Sequence, residues 1–311
     1  MSHFTVLVLR YPGQSLDDLL EHWNENREVP AYRAYEEGEA ADHWLGKVLA
    51  EEGTPPVTWR DIAYHSAQRQ LTDPDADDPS GRIYYDDDLG RAYTLTTYNP
   101  DSKWDWWTEG GRWDNELPRL DHTMTNSAAK ADLDIEGKRE MARVAAKAER
   151  DEVLARIRQA ATDEAAAEAM IAGYRTFEEM RERHGIEGID QARAEFWGQP
   201  AITAYKATLA DDHARIGFSF SGGEMLDRLL GPSEAEVLDR AAAAAWPGWA
   251  LLNGLQRVDG HAGVWLAPGR MGWFAANDAT EGSTEAYLTL ANKAIDDAPD
   301  DTLFTQIDCH I

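Results

Sequence analysis

A segment near the middle of the chain, residues 99–114, combines side chains that are rarely found together. It reads NPDSKWDWWTEGGRWD and holds four tryptophans, one lysine, one arginine, several acids and a pair of glycines. Indole rings offer flat apolar walls and an N–H donor, and a few charges among them fix the orientation of a bound molecule. A core segment does not need the interleaved charges, and a solvated loop does not need the indoles. This Trp-rich segment therefore predicts a binding or catalytic site.

The parts of the Trp-rich segment suggest the kind of ligand. Gly110 and Gly111 allow positive φ and close approach to the backbone, Arg112 can grip a phosphate or carboxylate with two hydrogen bonds, and an indole can stack on a base. We therefore expect a small phosphorylated or nucleotide-like ligand. The expected ligand-binding residues are Lys103, Trp104, Asp105, Trp106, Gly110, Gly111, Arg112, Trp113 and, from a later segment, Trp273. In the structural alternative the glycines form a tight turn, Arg112 pairs with Asp105 or Asp114, and the indoles fill the core.

A second group of reactive side chains lies at 308–310. Asp308, Cys309 and His310 supply an acid, a thiol and an imidazole, and they are the candidate catalytic residues. In a strand, alternation places Asp308 and His310 on one face and Cys309 on the other. A catalytic thiolate needs a histidine close in space, so Cys309 would need one from elsewhere, such as His3 on a neighbouring strand. The alternative is a buried thiol at the end of a strand.

A metal site is a further hypothesis, because two histidines and a carboxylate are enough to hold zinc or iron. The residues considered are His3, His122, His310, Asp132, Asp134 and Asp308. None of them shows the tight spacing of an HxH or HExxH motif. We therefore assign no metal ligand and leave the cofactor open.

The composition narrows the class of partner. The 311 residues carry a formal net charge of -27 and no run of lysine or arginine, so direct binding of nucleic acid is not expected. The single cysteine excludes an internal disulfide and fits a reducing cytoplasm. No basic leader and no apolar stretch approaching about 20 residues is present. We expect a cytoplasmic protein with no membrane segment. A basic host protein remains a possible partner for so acidic a surface.

The apolar patterns predict one α+β domain over residues 1–311. Short, almost wholly apolar runs at 4–9 and 303–307 are typical of central strands, so both should lie in one mostly antiparallel sheet. An Ala-, Glu- and Arg-rich stretch at 135–210 has a thin apolar stripe and predicts a helical insertion within this domain.

Local signals predict further elements. Ser15 and Ser233 should cap helices at 16–26 and 234–245, and two strand-like runs within 82–98 predict a hairpin that leads into the Trp-rich segment. The remaining predicted elements are helices at 29–51, 57–71 and 284–295 and strands at 216–220, 249–252, 264–267 and 271–275.

Four segments together match the pattern of a known family. They are SHFTVLV at 2–8, NPDSKWDWWTEGGRW at 99–113, MGWF at 271–274 and DCHI at 308–311. In these segments the chain resembles an uncharacterised family encoded mainly by bacteriophages and prophages. Members often carry a KGDID-like stretch after GGRW, where this chain has KADLD at 130–134. The resemblance implies a phage-type origin and carries over no biochemical activity.

Three hypotheses follow for the function. The first is a phage accessory protein, present in the host cytoplasm, that binds or also hydrolyses a small phosphorylated or nucleotide-like molecule. Sequestering a host immune messenger, and so countering host defence, is one form of this role. The second is an acidic interaction module that inhibits a basic host protein. The third is a metal- or cysteine-dependent enzyme built on His3, Cys309 and His310.

Overall fold

The computed structural model describes residues 2–35, 83–209, 212–258, 261–272 and 276–311. The chain divides into two compact units. The larger unit comprises Met1–Gln14 and Trp107–Ile311, and the smaller one comprises Ser15–Trp106. The apolar pattern of the sequence predicts one domain over 1–311 and does not indicate this division into two units.

The strands are numbered in chain order. They are β1 (His3–Arg10), β2 (Tyr32–Tyr35), β3 (Ile83–Asp86), β4 (Arg91–Thr96), β5 (Trp106–Glu109), β6 (Leu117–Pro118), β7 (Met124–Thr125), β8 (Ser127–Ala129), β9 (Ala250–Val258), β10 (His261–Leu266) and β11 (Leu303–His310).

The α-helices of the described residues follow the same order. They are α1 (Leu16–Leu20), α2 (Ile135–Ala160), α3 (Glu164–Ala172), α4 (Phe177–His184), α5 (Ile189–Trp197), α6 (Pro200–Ala207), α7 (Asp212–Leu230), α8 (Glu234–Ala244) and α9 (Glu281–Asp297). Within the part of the chain that the structure describes, no helix is long and apolar enough to cross a membrane.

The main sheet of the larger unit contains strands from both ends of the chain. Its strand order is β10-β9-β1-β11-β5, and β8 also pairs with β11. β1 runs antiparallel to β11 and parallel to β9. The prediction of a mostly antiparallel α+β sheet with both terminal strands is therefore confirmed. Because a parallel neighbour requires a crossover connection, the predicted insertion at 135–210 forms part of the long crossover from β1 to β9.

One face of this sheet changes from apolar to polar along β1. Leu9 lies opposite Phe304 of β11, and Leu7 lies opposite Leu251 of β9. Helix α9 packs against this apolar part through buried Tyr287, Ala291 and Ile295, which recur every fourth residue on one helix face. Towards the start of β1 the same face carries polar side chains, and these belong to the candidate site.

The helices of the larger unit form a second core. Ile157 of α2, Phe196 of α5, Ile202 of α6 and Leu226 of α7 are all buried in one cluster. The Ser233 hydroxyl accepts a hydrogen bond from the N–H of Glu236, and the Glu236 carboxylate accepts one from the N–H of Ser233 at 2.8 Å. The predicted helix start is therefore confirmed as a reciprocal cap.

Buried Tyr174, just before α4, forms a pair with the half-buried Asp227 of α7. The Tyr174 hydroxyl donates to Asp227 Oδ1 at 2.7 Å, and the N–H of Phe177 donates to Oδ2 at 3.0 Å. Burial raises the pKa of Asp227 above its ordinary value, and the two hydrogen bonds oppose that rise. The carboxylate is therefore tolerated in its charged form because donors meet both of its oxygens.

The smaller unit confirms the predicted hairpin. β3 and β4 pair antiparallel, and β2 adds to the other side of β4. The predicted cap at Ser15 is also present, since its side chain accepts from the N–H of Asp18. The helix predicted over 16–26 is shorter, because α1 ends at Leu20 and a 3₁₀ turn follows.

Two predicted elements differ in type from those observed. Residues 216–220 lie within helix α7, not in a strand, because a short apolar run fits either structure. Gly222 continues that helix, and a Cβ there would lie 2.0 Å from the Phe218 ring, so the glycine makes room for this ring. Within the helix predicted at 29–51, Tyr32–Tyr35 form strand β2. Residues 36–51 of that helix, and the whole helix predicted at 57–71, lie outside the described residues.

Replacing Phe304 tests the core beneath α9. Because this side chain is fully buried, Phe304→Ala should lower the free energy of unfolding by about 3–5 kcal/mol. Leu290→Ala is the control, since Leu290 lies on α9 but is 54% exposed, and it should change stability by about 0.5 kcal/mol or less. Urea unfolding measures both, and equal effects would contradict this packing.

Removing the Tyr174 hydroxyl should give a pH-dependent loss of stability. In Tyr174→Phe the pKa of Asp227 should rise further, because one donor to the charged form is lost. A raised carboxyl pKa means that the folded state holds its proton more tightly, so stability falls as the pH rises through that pKa. Urea unfolding should therefore show a small loss near pH 4 and about 1 kcal/mol at pH 7. A loss equal at both pH values would contradict this account.

Candidate functional site

The Trp-rich segment is divided between the two units. Of the expected ligand-binding residues, Lys103, Trp104, Asp105 and Trp106 belong to the smaller unit, and Gly110 to Trp113 belong to the larger one. The two parts have different local roles.

In the smaller unit, the first residues of the Trp-rich segment form hydrogen bonds with the backbone of residues 22–24. The Asn99 side chain is 1% exposed, and its amide donates to the carbonyl oxygens of His22 and Asn24 at 2.7 and 3.0 Å. The backbone N–H of Lys103 donates to the Trp23 carbonyl at 2.7 Å. Buried amide groups of this kind stabilise irregular backbone, so this part of the segment has a structural role.

The tryptophans of this part differ in exposure. Trp104 is 5% exposed, and no described residue accepts a hydrogen bond from its Nε1. Trp106 is 52% exposed. Between them, the Asp105 carbonyl accepts from the side chain of Asn26 at 3.2 Å. Trp104 therefore fits the structural alternative of an indole in the core, whereas Trp106 presents its ring at the surface.

In the larger unit the two glycines form a tight turn after β5. Gly110 and Gly111 have φ of 68° and 59°, as the glycine pair predicts, and residues Gly111–Trp113 form a 3₁₀ turn. The N–H of Gly110 donates to the carbonyl of Gln306 on β11 at 2.9 Å, and the N–H of Trp113 donates to the Gly110 carbonyl at 3.1 Å. The turn is thus attached to the sheet by backbone hydrogen bonds. We call residues 110–113 the GGRW turn.

The GGRW turn closes over the carboxylate of Asp308. A Cβ on Gly111 would lie 2.4 Å from the Asp308 Cβ, so only glycine permits this approach. The N–H of Arg112 donates to Asp308 Oδ2 at 3.2 Å. Asp308 itself is 2% exposed. Tertiary structure therefore brings together two of the groups that the sequence marks as candidates, one for ligand binding and one for catalysis.

His3 completes this cluster from the neighbouring strand. Its Nδ1 lies 3.0 Å from Asp308 Oδ1 and 3.2 Å from Oδ2. The register of β1 and β11 places His3 directly opposite His310, and the two rings meet edge to face with centroids 5.0 Å apart. Asp308, His3 and His310 therefore share one face of the sheet, as strand alternation requires.

Cys309 lies on the other face of the same strand. It is fully buried and lies opposite Phe4 in the register. The strand pairing therefore does not provide the contact between Cys309 and His3 that the cysteine hypothesis needs. Its burial agrees with the alternative of a buried thiol at the end of a strand.

The Arg112 side chain is exposed beside this cluster. Of its two expected structural partners, Asp105 belongs to the smaller unit. The carboxylate of the other, Asp114, accepts from the side chains of Asn126 at 2.6 Å and Asn115 at 2.8 Å. Among the described residues of the larger unit, none forms an ion pair with the Arg112 guanidinium. The guanidinium thus faces solvent from a backbone that is fixed. Trp113, the next residue, is partly buried.

The structure separates the other residues considered for a metal. Asp132 pairs with Arg119 at 3.6 Å, Asp134 caps α2 by accepting from the N–H of Gly137 at 2.9 Å, and His122 is exposed with φ of 67°. Within the described ranges, no group of three or more His, Cys, Asp or Glu residues is arranged to hold a metal ion.

An acidic groove of about 1170 Å³ lies among α4, α7, α8 and α9. Several of its carboxylates have local partners. Arg240 contacts Glu281 at 2.8 Å and Glu285 at 2.7 Å, and Asp227 accepts the hydrogen bonds described above. The groove is therefore lined by ion pairs between neighbouring helices. That a basic host protein binds there stays a prediction.

Comparison of the chain with protein-family models, with curated proteins and with solved structures finds no match. The resemblance to the phage-encoded family therefore stays an expectation. The features that bear on function are those of the cluster formed by Asp308, His3, His310 and Arg112. Trp273, another expected ligand-binding residue, lies outside the described residues.

Sequence reasoning did not anticipate how this cluster is supported. Asn126 accepts from the backbone of Asn115 and donates to Asp114, and its carbonyl accepts from the N–H of Gln306 at 2.8 Å. Nothing in the residue types or spacing links Asn126 to Asp308. The positive φ of Asn115, at 57°, agrees with the tolerance of asparagine for this conformation.

Substituting Gly111 tests the closure of the turn over Asp308. Gly111→Ala adds a Cβ at positive φ and against the Asp308 side chain. Gly13→Ala is a matched control, because Gly13 lies in a turn with φ of 83° and a Cβ there would meet no atom within 4 Å. The control should lose the roughly 1–2 kcal/mol expected from positive φ alone, and Gly111→Ala should lose more. Equal losses in urea unfolding would show that the turn and Asp308 are not in close contact.

Proposed function

We propose that the protein binds a small phosphorylated, nucleotide-like molecule at the GGRW turn. The observation that carries this proposal is the exposed Arg112 guanidinium on a backbone held to Asp308 by a 3.2 Å hydrogen bond. A guanidinium is planar and presents paired donors that match two phosphate oxygens. When the backbone that bears it is already fixed, less conformational entropy is lost on binding.

The situation of Arg112 differs from that of arginines on the helices. Arg139 contacts Glu136 at 2.7 Å and Asp296 at 2.8 Å, and Arg156 contacts Glu152 at 2.7 Å. In a chain of net charge -27 carboxylates are plentiful, so an arginine that pairs with none in its own unit has its donors available for an anion. This supports phosphate as the group that Arg112 recognises.

Trp113 supports a ligand with a flat ring system. It follows Arg112 in the same 3₁₀ turn and is partly buried, so one part of its indole remains accessible. A purine or pyrimidine can stack on such a surface while its phosphate meets the guanidinium. The contributions of Lys103, Trp104, Asp105, Trp106 and Trp273 to the same ligand stay predictions.

The family resemblance provides a biological setting for this activity. A phage accessory protein that binds a nucleotide-like molecule in the host cytoplasm can lower the concentration of a host immune messenger. The alternatives, an acidic inhibitor of a basic host protein and a metal- or cysteine-dependent enzyme, stay predictions.

Replacing Arg112 is the direct test of the proposal. The probes are inorganic phosphate, AMP and 3′,5′-cyclic AMP, and binding is measured by thermal shift and calorimetry. Loss of a charge-assisted pair should raise Kd by about 10–100-fold in Arg112→Ala, and Arg112→Lys should retain part of the affinity because it keeps the charge without the planar pair of donors.

Arg193→Ala is the matched control for this measurement. Arg193 is a surface arginine on α5 whose side chain is 61% exposed, and it pairs with Asp190. Its removal should leave Kd unchanged. The proposal is wrong if the wild-type protein binds none of the three probes at millimolar concentration, or if both alanine variants weaken binding equally.

A further inference from the structure

We propose that His3 and His310 are an acid–base pair that hydrolyses a phosphodiester bond in the molecule held at Arg112. This inference rests on the proposed function, because it uses the same anion site. Its basis is the strand register, which places the two imidazoles opposite each other on one face with ring centroids 5.0 Å apart. Both rings are half-buried, so each keeps access to a bound ligand.

The contact with Asp308 assigns the role of His3. An ionised carboxylate only accepts hydrogen bonds, so His3 Nδ1, at 3.0 Å from Oδ1, carries the proton. The lone pair of the neutral ring then lies on Nε2, which is the form of a general base. Asp308 is a positioning residue, since it holds the tautomer and ring orientation of His3 while the N–H of Arg112 holds Asp308.

His310 supplies the other half of the reaction. In its cationic form it can donate a proton to the oxygen that leaves, while His3 accepts one from the attacking water. The water oxygen forms a bond to phosphorus and its proton passes to His3 Nε2. The bond from phosphorus to the leaving oxygen breaks, and that oxygen takes the proton of His310. The products are a phosphomonoester and an alcohol, and solvent returns the two histidines to their starting states.

The charge at the site favours a diester over a monoester. A phosphodiester carries one negative charge, which together with the carboxylate of Asp308 balances the guanidinium of Arg112 and the cationic ring of His310. A monoester carries nearly two at neutral pH, and the second would remain uncompensated in a chain of net charge -27. Two imidazoles also suit this chemistry, because one proton must leave the nucleophile while another reaches a poor leaving group.

A purely structural role for the histidines makes a different prediction. In that case His3 serves only as a hydrogen-bond donor to the buried carboxylate of Asp308. Replacing His3 would then lower the stability of the fold, and the pH-rate profile of the wild-type protein would not be bell-shaped. Within the part of the larger unit that the structure describes, the charged and titratable groups beside His3 are Asp308 and His310 on β11, and the N–H of Arg112 holds Asp308 from the GGRW turn. The experiment must therefore separate turnover from folding and from ligand affinity.

The test measures turnover of bis(4-nitrophenyl) phosphate, 2′,3′-cyclic AMP and 3′,5′-cyclic AMP by the full chain in the presence of EDTA. We expect hydrolysis of at least one probe with a bell-shaped dependence of kcat on pH, because one histidine must be neutral and the other charged. His3→Gln should lower kcat by about 100-fold or more and remove the rise of the profile on the acid side. His310→Gln should lower kcat similarly and remove the fall on the alkaline side.

Two further variants distinguish a positioning role of Asp308 in catalysis from a general loss of folding. Asp308→Asn nearly preserves the shape of the side chain, but the new amide donates a hydrogen bond to His3 Nδ1. The ring proton of His3 then moves to Nε2, which can no longer accept a proton from water. We therefore expect kcat to fall by about 10⁴-fold, while Kd for 3′,5′-cyclic AMP changes little. His122→Asn is the control, because His122 is exposed and lies at positive φ, which asparagine tolerates. It should leave kcat and Kd unchanged.

The outcomes separate this inference from the binding proposal. A wild-type protein that binds 3′,5′-cyclic AMP through Arg112 but hydrolyses no probe overturns the inference and leaves the binding function in place. Failure to bind any probe overturns both. A flat wild-type profile between pH 5 and 9, unchanged turnover in the histidine variants, or turnover lost in EDTA and restored by a divalent metal also overturns the inference. The wild-type profile decides the question even where a variant fails to fold.

Discussion

The buried carboxylate of Asp308 is the group around which the candidate site is organised. A charge removed from water is costly unless hydrogen bonds replace its hydration. Here the donors come from two different elements, the N–H of Arg112 in the GGRW turn and His3 on β1. Gly111 follows from the same constraint, because any side chain at that position would collide with Asp308. One buried charge thus accounts for a glycine, a turn and the orientation of an imidazole.

The sheet supplies the geometry that this carboxylate requires. Because β1 and β11 pair antiparallel, His3 lies opposite His310, and Leu9 lies opposite Phe304 at the other end of the same face. The apolar end is covered by α9, whereas the polar end receives the GGRW turn. A shift of one residue between the two strands would place His3 and His310 on opposite faces of the sheet, and likewise Leu9 and Phe304. The packing of the core and the arrangement of the site therefore depend on the same pairing.

The strong acidity of the chain has a limited role in holding the fold together. Many carboxylates of the helical region pair with arginines at exposed positions, as Glu152 does with Arg156. Such surface pairs each contribute little to stability because water and salt screen them. Their more important consequence is that carboxylates occupy many of the guanidinium groups on the described helices, whereas Arg112 pairs with no described carboxylate of its own unit.

The sequence by itself determined what depends on neighbouring residues. The apolar runs of β1 and β11, the serine caps of α1 and α8, the hairpin of β3 and β4, and the positive φ of Gly110 and Gly111 all follow from local periodicity and local backbone preference. The helix at 212–230 was predicted wrongly as a strand at 216–220, because its short apolar run is compatible with both structures. Only the tertiary structure decided that Trp104 is buried, that Cys309 faces away from His3, and that Arg112 meets Asp308 across 196 positions of the chain. Those contacts join segments far apart in sequence, and strand register and burial, which set them, are properties of the folded chain as a whole.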